Sequence, residues 1–359
     1  PVAAASIGQV YKGTLPDGQE VAVKVQRPDV VQDIALDLYM CRAIAPIYKK
    51  AFKLNTDLEG LIDEWGAGFV NELDYIREAT NGQRFLSAMQ ERGLNAVTTS
   101  EVVPHLSSER ILVTKWVDGE KLSVSKEGDV GRLCGVALNA YLTMLLDTGL
   151  LHCDPHPGNF LRTTDGRLCI LDFGMCIEVD KDLQYGLIEY IAHLVSEDYE
   201  KIPGDLIRLG FVPKGQQEAA IQRAGTVAAL SIILKQLAQG GGPKQVQKRI
   251  EDQVKAEFGD IPHGNAFQIP PWMAYILRTF TVLEGVGLNQ DENYSITQEC
   301  YPYLAKRLLT DSSPRAQNAL RSMLYGGQVK PHPYNRSDET INPQPSTLNT
   351  QHKKLNMKP

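Results

Sequence analysis

Two carboxylates and one amide gather in the run His152–Gly174, which reads H-C-D-P-H-P-G-N-F-L-R-T-T-D-G-R-L-C-I-L-D-F-G. Asn159 follows Asp154 by five residues, and Asp172 stands in front of Phe173-Gly174. Asn159–Arg162 and Leu168–Asp172 read as strands around the turn residues Thr164-Asp165-Gly166. A hairpin is therefore predicted, with the oxygens of Asn159 and Asp172 side by side at its open end. Two hard oxygen ligands beside a third carboxylate suit Mg2+ carrying substrate phosphates, because that ion keeps several waters and takes only one or two protein carboxylates. The chemistry indicated is phosphoryl transfer: Asp154 as the base or orienting group, Asn159 and Asp172 as metal ligands. D-F-G alone is usually a turn. The two spacings with a hairpin between them carry the reading.

Such chemistry needs a cation for the phosphates. Lys24 lies in V-A-V-K-V, an ammonium on an otherwise apolar strand. It reads either as an exposed edge lysine or as the strand lysine that pairs α- and β-phosphates and is held by a helix glutamate. Glu72 and Glu78 are both candidates for that glutamate. Six residues apart, they lie about 600° apart around a helix, so both serve only if the helix breaks. Upstream, Ala3-Ala4-Ala5-Ser6-Ile7-Gly8 is either a phosphate-approaching loop or a plain small-residue turn; alanine lacks the positive-φ freedom of glycine. Backbone groups of Lys115 and Val117, just before Asp118-Gly119, either bind an adenine edge at an inter-lobe hinge or end a strand. His152, Cys153 and His156 match no structural zinc spacing. His152 reads as a scaffold for the loop, which Pro155 and Pro157 stiffen.

The elements that must position these residues follow from periodicity. Val10–Leu15 and Glu20–Gln26 flank Pro16-Asp17-Gly18-Gln19, a hairpin with turn chemistry at its tip. A helix is predicted from Pro28 to about Lys53, broken by Pro46, and a second from Asp57 that continues through Leu73 and Ile76 towards Phe85. Val97–Val103 and Arg110–Val117 read as strands. The remainder reads as helical over Val130–Gly149, Lys181–Ser196, Gln216–Gln239, Lys244–Phe258, Trp272–Glu284, Thr297–Leu309 and Pro314–Tyr325. Gly240-Gly241-Gly242 is a joint, and residues 327–359, rich in Pro, Asn, Ser and Lys, read as disordered.

Composition narrows the class. The 359 residues are 43% hydrophobic and 22% charged, ordinary for a globular protein. A net charge of −6 offers no basic field for nucleic acid. Six cysteines without a C-x-x-C pair point to reduced thiols. No run reaches the roughly 18–20 apolar residues of a bilayer span; the longest, near Ala224–Leu234, reads as a buried helix.

The motifs A-A-A-S-I-G-Q-V, V-A-V-K-V-Q-R-P, E-L-D-Y-I-R-E-A, D-P-H-P-G-N and L-D-F-G, in order over residues 1–310, resemble the signature set of the ABC1/UbiB/ADCK atypical kinases. The D-x-x-x-x-N spacing followed by D-F-G is likewise that of protein-kinase catalytic and metal loops. The resemblance implies an α+β, protein-kinase-like two-lobed fold. Its small N-lobe with a β-sheet and helices spans 1–117, and a larger, mostly helical C-lobe spans 118–326. It makes Lys24 the nucleotide lysine and Glu72 its helix partner, and places Asp74 and Glu78 in an acidic motif beside the site. Ala3, Ala4, Ala5, Ser6, Ile7 and Gly8 would line the nucleotide with Lys115 and Val117. ATP and Mg2+ are the implied cofactors.

The family's tie to isoprenoid quinones implies an ATP- and Mg-dependent kinase or ATPase supporting prenylquinone metabolism (plastoquinone, tocopherol or ubiquinone). Lipid or pathway components at a membrane surface are the implied partners. W-G-A-G-F-V-N-E-L-D-Y and I-P-P-W-M-A-Y-I-L-R-T-F-T-V-L-E-G-V-G resemble plastid members, which implies a chloroplast location (plastoglobule or thylakoid surface), with the mitochondrion as alternative. The family's K-x-G-Q extension and first N-lobe strand are not seen, so the chain is expected to be N-terminally truncated, and no A-P-E follows Gly174. A serine/threonine protein kinase and a nucleotide-binding non-catalytic scaffold are the rival functions.

Overall fold

The structure, a computed structural model, describes residues 1–4, 7–52, 58–196, 198, 201–212, 248–249, 270–288 and 296–325. β1 (Ala3–Ala4), β2 (Gly8–Thr14) and β3 (Glu20–Gln26) form an antiparallel meander, with Gly8 opposite Gln26 and Gly18 turning the tip at φ 88°. The small-residue stretch expected as a loop thus begins as a strand, with Ala3 paired to Val10. α1 (Val30–Phe52) runs unbroken through Pro46, contrary to the expected break. Pro46 is exposed, so the carbonyl that loses its helical partner is on a solvated part of the helix.

α2 (Leu58–Glu72) and α3 (Tyr75–Glu91) are two helices where one was expected. The interruption has a local cause. Asp74 is extended at φ −99°, ψ 98°, and its carboxylate accepts the amides of Ile76 and Arg77 as an N-cap. The preceding carbonyl, that of Leu73, accepts the Gln26 side-chain amide at 2.9 Å. β4 (Val97–Thr98) is shorter than the strand expected there. β5 (Ile111–Lys115) completes the first sheet in the order β1-β2-β3-β5.

β6 (Gly119–Lys121), which periodicity did not reveal, leads to α4 (Val130–Thr143). A π-helical turn, Met144–Thr148, ends at Gly149 with φ 82°, where a Cβ would lie 2.6 Å from the Val179 carbonyl. β7 (Leu150–His152), the hairpin β8 (Phe160–Thr163) and β9 (Leu168–Ile170), and β10 (Cys176–Glu178) follow. A second sheet runs β4-β9-β8-β6, and β7 pairs with β10. α5 (Lys181–Val195), α6 (Ile202–Arg208), α7 (Pro271–Leu288), α8 (Ile296–Thr310) and α9 (Pro314–Tyr325) complete the helical part. The helices expected at 216–239 and 244–258, the glycine joint and the 327–359 tail lie outside the described residues, apart from 248–249, which are helical.

The main core joins Phe85 and Met89 of α3 to Leu133 and Tyr141 of α4 and to Leu151, Phe160, Leu168 and Ile170 of the short strands, all 0–2% exposed. Each such side chain contributes about 1.5–3 kcal/mol of burial. The β8–β9 hairpin is therefore built into the packed core. None of the described helices is long and apolar enough to cross a membrane.

Asp311 fastens three of the helices. Its carboxylate accepts Tyr185 Oη of α5 at 2.9 Å, Arg307 of α8 at 2.5 Å and the Ser313 amide ahead of α9 at 2.8 Å. Burial works against its charge, but the Ser313 amide and hydroxyl, Tyr185 and Arg307 hold the carboxyl well below the usual aspartate range. A depressed folded pKa adds stability that is present above the unfolded value of 3.8 and is lost as pH falls through the folded one. Asp311→Asn is expected to cost about 1–3 kcal/mol at pH 7 and to flatten the acid limb of a thermal-melting profile. A variant with the wild-type profile below pH 4 contradicts the assignment.

Candidate active site

β3 presents Lys24 opposite Leu112 and Val10, where its ammonium meets two acids from distant elements. Lys24 Nζ donates to Glu78 Oε1 and Oε2 at 2.9 and 2.8 Å and to Asp172 Oδ1 at 3.0 Å. Its helix partner is thus Glu78, and the expectation that Glu72 takes this role is corrected. The reason is the break between α2 and α3. Restarting the helix at Tyr75 puts Tyr75, Glu78, Phe85 and Met89 on the buried face, and leaves Glu72 as the last residue of α2. Glu72 still lines the cluster, since a Cβ at Gly174 would lie 3.0 Å from Glu72 Cγ, 3.3 Å from Asp172 Oδ1 and 3.5 Å from Glu78 Oε2. Asp74 caps α3 through Oδ1.

Electrostatics follow from crowding. Burial and the Asp172 charge push the Glu78 carboxyl up to about 8, with Lys24 pulling the other way. Burial also opposes the Lys24 charge, but Glu78 and Asp172 raise the ammonium above the ordinary lysine range. For Asp172 burial is outweighed by Lys24, which holds the carboxyl below the usual aspartate value. Glu72 is raised by burial and by Asp172.

The hairpin forms in the register Phe160↔Ile170, and the Leu171 amide donates to the Asn159 carbonyl at 2.8 Å. Asp172 follows in the left-handed region, φ 61°, a conformation costly outside glycine and concentrated at functional positions. His152 secures it. The buried ring accepts the Asp154 amide at Nδ1 (3.2 Å), with Tyr141 Oη 3.0 Å from the same nitrogen, so Nε2 carries the proton donated to the Asp172 carbonyl at 2.7 Å. Burial lowers its pKa and keeps it neutral. His152 is a scaffold, as its sequence context indicates. Burial also pushes the adjacent Cys153 thiol up to about 12.

The residues present fit Mg2+. Asp172 is held ionised, and Asn159 spends its Nδ2 on the Asp154 carbonyl at 3.2 Å, which leaves the amide oxygen for a cation. Around the nucleotide position the fit is uneven. Ala5 and Ser6 lie outside the described residues, and Ile7 is buried with Val30, Tyr75 and Leu112. Gly8 lies against Tyr75, whose hydroxyl would be 2.5 Å from a Cβ there. The Lys115 amide is committed to the Glu101 carbonyl at 2.7 Å and its ammonium to the Glu101 side chain.

Two residues escaped sequence reasoning. Tyr75 is fully buried beneath Lys24, whose Nζ lies 5.0 Å from the ring centroid. Arg278 of α7 donates to Asp154 Oδ1 at 2.5 Å, from 124 positions away. The signal available for it was a single charge in the run P-W-M-A-Y-I-L-R-T-F-T-V-L.

The family model described as ABC1 atypical kinase-like domain matches residues 1–205. An uncharacterised aarF domain-containing protein kinase of Arabidopsis thaliana, named chloroplastic, is 37% identical over 90% of this chain and 45% of its own length. Activity of BC1 complex kinase 3, chloroplastic, from the same plant is 36% identical over 90% and 45%. An uncharacterised Synechocystis protein is 36% identical over 90% and 47%. The chain thus spans about half the length of the curated relatives it matches. The solved structure of Rv3197 with erythromycin, from Mycobacterium tuberculosis, aligns with a TM-score of 0.58 and 25% identity, covering 84% of this chain and 75% of that one. The two-lobed fold is protein-kinase-like.

Proposed function

We propose, since the chain belongs to the ABC1 atypical kinase-like family, that its cleft binds ATP with Mg2+ and transfers or hydrolyses the terminal phosphoryl group. The observation that carries the reading is the Lys24 ammonium held between Glu78 and Asp172. Glu78 orients Lys24, and Lys24 orients the α- and β-phosphates. Asp172 and Asn159 would hold Mg2+, which when bound neutralises charge on the phosphate oxygens. Asp154 orients the attacking oxygen. Little covalent work falls to the protein in phosphoryl transfer, so positioning by these five side chains is the substance of catalysis.

The wider role is support of prenylquinone metabolism at a plastid membrane surface, plastoglobule or thylakoid. Two things support the plastid location: the word chloroplastic in the names of the plant relatives, and the cyanobacterial relative beside them. Leu36, Met40, Ile44 and Ile47, exposed on α1, supply an apolar surface for such a location.

Mg-ATP binding to wild type and Asp172→Asn tests the site. The variant is expected to bind at least about tenfold more weakly, the usual effect of disturbing a metal ligand or its support. Equal affinity in both proteins sinks the assignment.

A further inference from the structure

We propose that Arg278 is a catalytic residue of this site, the cation that stabilises the phosphoryl group while it is in transfer. The inference rests on the Mg-ATP reading and adds a residue to it. The transferring group spreads negative charge over its three equatorial oxygens, and a guanidinium supplied within the chain is one known answer to that charge. The catalytic loop cannot supply one. Between Asp154 and Asn159 stand only Pro155, His156, Pro157 and Gly158, and His156 turns back to accept the Gly158 amide at 3.0 Å. Lys24 is occupied on the other side, between Glu78 and Asp172.

Arg278 reaches Asp154 from α7. Its Nη2 donates to Asp154 Oδ1 at 2.5 Å, and its Nη1 lies 3.7 Å from the sulfur of Met175, the residue after Asp172-Phe173-Gly174. Its charge also acts on Glu72. The helix that delivers it is firmly seated: Tyr275, Ile276, Thr279 and Leu283 are 0–8% exposed, whereas the Arg278 side chain is 52% exposed. A cation built on a packed helix is held more accurately than one on a loop. Five N–H donors in a planar fork allow the guanidinium to hold Asp154 and a phosphoryl oxygen together, which a lone surface pair, with a contribution of about 0–1 kcal/mol, would not require. In hydrolysis the water oxygen bonds to phosphorus, the bond to the ADP oxygen breaks with its electron pair, and the water proton leaves past Asp154 to solvent. Arg278 exchanges no proton.

The test measures Mg-ATP hydrolysis and Mg-ATP affinity in wild type, Arg278→Ala and Arg278→Lys, with melting temperature as a control for folding. Arg278→Ala is expected to lose about 100-fold or more in kcat, the scale of losing one preorganised donor to the transition state, with affinity changed less than about threefold. Arg278→Lys keeps part of the rate. Added guanidinium ion restores Arg278→Ala by about tenfold or more, while neutral urea does not. A kcat within about threefold of wild type overturns the proposal, and so does a loss that guanidinium fails to relieve in a variant that melts and binds Mg-ATP normally. Wild type that neither binds nor hydrolyses Mg-ATP removes the underlying reading and this residue's role with it, and wild type that binds Mg-ATP but hydrolyses none overturns the role of Arg278 in hydrolysis alone. Active wild type beside equally active Arg278→Ala likewise removes only that role.

Discussion

Lys24→Met is expected to abolish nucleotide turnover and to destabilise the fold by about 3–5 kcal/mol, the range for removing one partner of a buried ion pair. Lys24 and Glu78 are 12% and 5% exposed, and Asp172 lies on the same ammonium, so the variant leaves two carboxylates facing each other without a cation. Glu78 relieves part of the strain by taking a proton. Its folded pKa, already about 8, rises further once the lowering effect of Lys24 is gone. A carboxyl whose folded pKa exceeds its unfolded value of 4.5 is stabilised below that value, and the benefit is lost as pH rises through the folded one. The deficit of Lys24→Met is therefore smallest at pH 5 and largest above pH 8, as read from urea midpoints across that range. Lys24→Met/Glu78→Met should recover part of the stability and none of the turnover, because it removes the orphaned Glu78 carboxylate but leaves Asp172 without its cation. Glu72→Gln, in contrast, should change stability little. If Glu72→Gln and Glu78→Gln are equally damaging, the assignment of the helix partner is wrong.

Gly8→Ala is the second large effect, expected at about 2–3 kcal/mol from overpacking. The added Cβ would sit 2.5 Å from Tyr75 Oη and 2.9 Å from the Val25 carbonyl. The tyrosine is wholly buried and the carbonyl is backbone of a strand paired on both sides, so neither yields cheaply. Tyr75→Phe clears one of the two clashes and should recover part of the loss in the double variant. By itself Tyr75→Phe should be neutral or stabilising by up to about 1 kcal/mol, since the buried hydroxyl has no hydrogen-bond partner among the described residues. Chemical denaturation of the four proteins measures this directly. Destabilisation of more than about 1 kcal/mol by Tyr75→Phe would mean the hydroxyl is bonded after all.

Much of the site was legible along the chain because its chemistry is local. Asn159 and Asp172 flank one hairpin with turn residues at its corner, and its pairing sets them side by side, while Asp154 lies five residues ahead of Asn159. Lys24 likewise follows from a strand pattern and a turn. The five-motif set then specified a protein-kinase-like arrangement. Helix positions in the C-terminal part came through as well, since α7 and α9 begin at Pro271 and Pro314 and α5 begins after its N-cap Asp180.

Two choices lay outside any local pattern. Glu72 and Glu78 are equally acidic and equally near in sequence, and only the Asp74 cap, supported from β3 by Gln26, turns Glu78 inward. Arg278 looks like a solitary charge in an apolar helix until α7 is packed beside the catalytic loop. The sequence by itself determined the candidate residue types and the hairpin that sets Asn159 and Asp172 side by side, because those depend on backbone periodicity and turn geometry over a few residues. The tertiary structure alone decided which acid holds Lys24 and which cation meets Asp154, because those depend on where a helix restarts and which distant helix face packs against the cleft.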